Sequence, residues 1–103
     1  MNIKIFKPIG SPEIIAELIV ESDTHYIIDR PLTIHIMRGA DGNPSLGFSE
    51  FSMVTSEKHQ RVRLFKNALI CDALEPIPEI AQNYQQNVTG LILPTTGGQI
   101  LTG

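Results

Sequence analysis

The sequence has no tryptophan and one cysteine, and aromatic residues make up only 6% of its 103 positions. With two Tyr and four Phe, the core must be built mainly from Ile, Leu and Val. The β-branched members of that set favour pleated, half-buried surfaces. The lone Cys71 excludes an intrachain disulfide, so a reducing compartment is expected. No apolar run approaches the ~20 residues that a membrane helix requires. Residues 1–6 lack the apolar run and cleavage pattern of a signal peptide, so a cytoplasmic location is expected. Without a secretory route, the sequon Asn87-Val88-Thr89 is incidental. Positive charge is also scarce. Eight basic side chains face eleven acidic ones, a net −3. Dedicated duplex binders are usually basic, so any nucleic-acid role here must rest on a local patch.

Catalytic signals are missing as well. There is no nucleophile elbow, no phosphate-cradling Gly motif and no carboxylate pair marked out by its surroundings. Cys71 lies in an apolar stretch, where a thiol is usually inert packing. His25, His35 and His59 show no metal-ligand spacing. Neither enzyme activity nor a cofactor or metal is expected.

What is present is an ordinary globular balance, 42% hydrophobic and 18% charged, in a chain long enough for one domain. Residues 3–7 alternate as a half-buried strand, and residues 8–12 form a Pro/Gly turn. Residues 13–20 fit two templates equally. Ile14, Ala16, Leu18 and Val20 alternate with glutamates as in a strand, while Ile14, Ile15, Leu18 and Ile19 share a helical face after a Ser11-Pro12-Glu13 start. Residues 25–28 are extended, and Pro31 is expected to break or bend the chain before another strand over 32–37. Residues 39–44 are the strongest turn signal, and 45–60 read as a polar loop or short hairpin. Strands are expected at 61–65 and 68–74, parted at Lys66-Asn67. Pro78 then opens a helix of about 78–88, with Ile80, Tyr84 and Val88 stacked and Gly90 as its stop. Residues 91–103 form an apolar tail suited to packing on the barrel or on a neighbour.

A series of short, turn-separated strands in so small a chain suggests a compact barrel. The order resembles the Sm-like fold. Gly10, Ala16, Leu18, Asp23 and residues 25–28 look like its first motif, and residues 64–70 look like its second. The Glu-Ile-Ile-Ala-Glu-Leu run at 13–18 and the late helix with its Tyr are similar to Sm-like proteins of large tailed phages, including cyanophages. The chain departs from the family pattern at Ala16, after Asp23, and in lacking the Arg-Gly of the second motif. The resemblance covers about residues 3–90. It implies a mainly β fold, an open barrel of about five bent antiparallel strands with a C-terminal helix, spanning 1–90. It also tips residues 13–20 towards strand.

The resemblance further implies a homo-oligomeric ring with single-stranded RNA as its expected partner. By position, the RNA contacts would be His25, Tyr26, Lys66 and Asn67, which offer an aromatic face, an amide and a cation. The competing reading makes Tyr26 a core aromatic and Lys66-Asn67 a polar turn. A basic patch of Lys58, His59, Arg61 and Arg63 is a second candidate, with His59, Arg61 and Arg63 on one strand face. It would hold phosphates or simply be a solvated face. The alternative function is a phage structural or assembly accessory that uses the ring as a protein scaffold. A monomeric ligand-binding barrel is disfavoured by the shortage of aromatic lining.

Overall fold

The computed structural model describes residues 1–51 and 61–89. Lys58, His59, Gly90 and the tail 91–103 lie outside the described residues. The fold is mainly β, an antiparallel five-stranded sheet with one C-terminal helix. Its strands are β1 (Ile3–Phe6), β2 (Ile14–Glu21), β3 (His25–Arg38), β4 (Pro44–Glu50) and β5 (Val62–Phe65). A 3-10 turn, Lys66–Ala68, follows β5, and helix α1 covers Pro78–Thr89. The sheet order is β1-β2-β3-β4, with β5 also on β3. Because β3 pairs β4 through residues 32–38 and β5 through 25–28, β4 and β5 lie end to end along one side of β3. β2 occupies the other side.

Residues 14–21 form a strand, and the reason they also fit a helix is visible in the packing. Ile14 and Ile15 are both buried, on opposite faces of the sheet. Ile14 and Ala16 join Phe6, Tyr26, Ile28 and Leu69 in the cluster enclosed by the curled sheet. Ile15 joins Ile3, Ile34 and Phe48 beneath Tyr84, with Ile80 and Val88 of α1 packed around them. A strand buried on both faces loses clean alternation, which is the pattern that separates strand from helix.

Of the two effects expected of Pro31, a break or a bend, the structure shows the bend: no separate strand begins at residue 32, and β3 runs for 14 residues. Between the pairs Glu17↔Asp29 and Ile15↔Leu32, β2 contributes one residue and β3 two, Arg30 and Pro31. This bulge accommodates a proline that cannot join the ladder, and Arg30 absorbs the bend with φ +52°. Residues 44–50 are a strand, not part of a loop, because the turn at 39–43 folds them back along β3. That turn is closed by Asp41, whose carboxylate accepts from the Asn43 backbone N–H (3.0 Å) and amide (3.1 Å). Residues 68–74 are no regular strand. They meet β1 at the isolated bridge Ile5↔Leu74, where the two residues exchange 2.8 Å backbone bonds, and the chain just after it at Pro8↔Leu69 and through the Ile70 N–H, which donates to the Lys7 carbonyl at 2.8 Å. Cys71, in this irregular stretch, is exposed, not packed.

Helix α1 starts at Pro78, as expected from the missing N–H and fixed φ of proline at a first helical position. It is anchored by Tyr84, which is fully buried. The Tyr84 hydroxyl donates to the carbonyl of Arg30 at 2.7 Å, with the Asp29 carbonyl 3.3 Å away. The helix thus supplies a donor to backbone acceptors at the β3 bulge, where the register with β2 shifts.

Tyr84→Phe should therefore lower stability by about 1–3 kcal/mol, the usual cost of an unsatisfied buried acceptor. The reading is a lower urea midpoint at unchanged m-value. An unmoved midpoint would show that the hydroxyl contributes nothing.

Burial also holds the Tyr84 hydroxyl pKa well above its ordinary 10.0. Its contribution is fully present below pH 10 and declines as pH rises beyond it, because only the unfolded chain ionises readily there. The alkaline loss of stability should be smaller in Tyr84→Phe than in the wild type. Equal alkaline slopes would contradict this.

Candidate nucleic-acid interface

The turn between β2 and β3 is built around Ser22. Its hydroxyl accepts from the backbone N–H of Thr24 (3.3 Å) and His25 (3.2 Å), while the Ser22 N–H donates to the His25 carbonyl at 2.9 Å. The His25 ring is held by its Nδ1, 3.0 Å from Ser22 Oγ and 2.9 Å from Thr24 Oγ1. The end of β5 meets this turn directly, because the Lys66 N–H donates to the Thr24 carbonyl at 2.9 Å. Four sequence candidates from two segments, His25, Tyr26, Lys66 and Asn67, are thereby gathered at one mouth of the barrel.

Their environments differ. Asn67 is exposed and His25 half-buried. Tyr26 is 1% exposed and belongs to the enclosed cluster. The Phe6 ring meets it edge-on at 5.2 Å, the Lys66 ammonium sits 5.0 Å from its centroid, and its hydroxyl accepts from the Ala73 N–H at 3.2 Å. Placed so, Tyr26 roofs the core and offers no open face to a base. Lys66 is engaged too, donating to Glu21 Oε2 at 2.8 Å. That hydrogen bond raises the Lys66 pKa above its ordinary 10.5.

Of the basic patch, Arg61 and Arg63 fall within the described residues, and both are exposed. On β5 the half-buried Val62 and Leu64 pack on the enclosed cluster, leaving Arg63 on the outer side. Strand parity places Phe65 on that same side, 49% exposed and 6.0 Å from the His25 ring. Sequence reasoning missed Phe65, although the alternation that singled out Arg61 and Arg63 continues to it.

Among the described residues no three His, Cys, Asp or Glu side chains converge to hold a metal ion. No helix among them is long and apolar enough to cross a membrane. No protein-family model matches the chain, and no curated protein matches it.

Glu21→Gln should bring the Lys66 pKa back down towards 10.5. A pH titration of the Lys66 side-chain NMR signals reads this directly. The contribution of the pair is present below 10.5 and lost as pH rises through the raised value, so any stability gap between wild type and variant should close in that alkaline range. Identical titrations would mean that the exposed pair does not form in solution.

Proposed function

We propose that the protein is an Sm-like subunit of a homo-oligomeric ring whose partner is single-stranded RNA. The observation that carries the reading is the contact of Lys66 with the β2–β3 turn, which brings His25, Lys66 and Asn67 to one mouth. The Sm-like resemblance implies RNA contacts from those same two segments. His25 would offer a ring, Asn67 an amide for a base edge and Lys66 a cation for phosphate. The ring part of the proposal draws on the edges of the sheet. Among the described residues, β4 and β5 each pair on one side only, with β3. Unpaired edges are commonly hidden by pairing between subunits, and a closed ring does so for every copy.

A second reading has its own support. Lys66 is already paired with Glu21, Tyr26 is covered, and the chain is acidic overall. These features favour a protein-binding scaffold without nucleic acid, in a phage assembly or virion role.

Native mass spectrometry of protein purified without nuclease should give a single closed stoichiometry, and a monomer at micromolar concentration would overturn the ring. RNA affinity should fall steeply with rising salt, as phosphate-driven binding does. No affinity at any salt would replace the RNA reading with the scaffold.

A further inference from the structure

The mouth is not the surface on which cations and an open aromatic ring come together. That combination occurs around the corner, on the outer face of β3 and β5. There Phe65 pairs across the ladder with His25, and Arg63 with Ile27. Ile27 pairs on its other side with Val20, which is 46% exposed. Helix α1 covers the neighbouring part of the sheet, where Ile3, Ile15, Ile34 and Phe48 pack beneath Tyr84. It leaves Phe65, Arg63 and Val20 uncovered.

We propose that this outer face is a stacking surface for single-stranded nucleic acid, with a base on Phe65 and phosphates held by Arg61 and Arg63. The inference rests on the RNA-binding reading and adds a surface separate from the mouth.

Two observations select this occupant. The first is charge. The ion pairs of the described residues join Lys4 to Glu75, Arg30 to Asp29 and Lys66 to Glu21, and none engages Arg61 or Arg63. Two adjacent guanidinium groups on an acidic protein are thus left for an anionic partner. The second is Phe65, a large apolar ring half exposed beside those cations. An acidic peptide would satisfy the arginines without needing the ring, whereas single strands are bound by cations and aromatic faces together. Alternate residues of a strand stand about 6.7 Å apart. Arg63 and Phe65 therefore stand one such step apart on the outer face of β5, with the exposed Arg61 just before the strand, and an extended single strand can place phosphates and a base along them.

The test is fluorescence anisotropy with a fluorescein-labelled oligouridine of about 12 nucleotides, within the usual site size. A matching oligonucleotide carrying 2-aminopurine reports stacking. Three variants are compared after circular dichroism has shown each to be folded. They are Phe65→Leu, the pair Arg61→Ala with Arg63→Ala, and the mouth pair Lys66→Ala with Asn67→Ala. The arginine pair should weaken binding at low salt and flatten the log–log salt dependence by about 0.7 per lost phosphate contact. Phe65→Leu should weaken binding at least about fivefold with the salt slope intact, and abolish the 2-aminopurine quenching.

Wild-type behaviour in both outer-face variants, with loss only in the mouth pair, overturns this inference and leaves the RNA reading standing. Loss only in the outer-face variants supports the inference and removes the mouth. No binding by the wild-type protein overturns both, and capture of a labelled polyglutamate peptide instead would assign the arginines to an acidic protein partner.

Discussion

One hydroxyl ties the two layers of this domain together. β3 must bend to serve β2 and β5 along one half and β2 and β4 along the other. A 14-residue strand cannot do so without interrupting its ladder, and the interruption falls at Arg30-Pro31, where one residue is in the left-handed region and the next has no N–H. A carbonyl left without a donor at this bulge would be costly under the packed face of a helix. Tyr84 meets the carbonyls of Asp29 and Arg30 from α1, so the bend and the docking of the helix are a single event. The site carries a further cost, because Asp29 Oδ1 is buried without a hydrogen-bond partner among the described residues. Asp29 also stands directly across from Glu17. Like charges in cross-strand register are unfavourable, and Arg30, 3.9 Å from Asp29, offsets them only in part.

The helix also explains how so aromatic-poor a chain builds enough core. A single curled sheet of this size would have one apolar face. Here β1, β2 and β3 are buried on both, with Phe6, Ile14 and Ile28 on the inside and Ile3, Ile15 and Ile34 on the outside. Fully burying such a side chain is worth about 1.5–3 kcal/mol, so the second layer matters in a domain with little stability to spare. The two tyrosines hold corresponding positions. Each fills one cluster and spends its hydroxyl on the backbone of an irregular segment, Tyr84 at the β3 bulge and Tyr26 at Ala73.

These roles mark the limit of what was legible from sequence. The mainly β class, the strand at β5, the turn at 39–43 and the helix opening at Pro78 were all readable, because each follows from local alternation or local turn chemistry. β4 was not, since Ser45, Gly47 and Ser49 dilute its pattern and only pairing with β3 makes it a strand. The expected strand at 68–74 failed for the opposite reason. Its apolar residues are real, but Ile70 and Leu74 are exposed and the segment joins β1 and the chain after it through isolated bridges and single bonds, not a continuous ladder. At the candidate site, position along the chain named two segments that do lie against each other, through the Lys66 N–H and the Thr24 carbonyl. Burial then separated the residues within them, which no spacing argument can do.

That separation governs how the surface can work. A cation contributes to phosphate binding only as far as the partner can displace what already neutralises it. Lys66 is hydrogen-bonded to Glu21, and it also sits over the Tyr26 ring. Recruiting it would expose a carboxylate to an incoming polyanion. Exposed ion pairs are individually weak, so this is no absolute bar, but the carboxylate set free when the pair opens would repel phosphate. Arg61 and Arg63 carry no such burden among the described ion pairs. Arginine also holds phosphate in a planar fork and stacks on bases in its own right. On an acidic protein, affinity for a polyanion should therefore follow the β5 face first, with the mouth adding base contacts once the strand is held nearby.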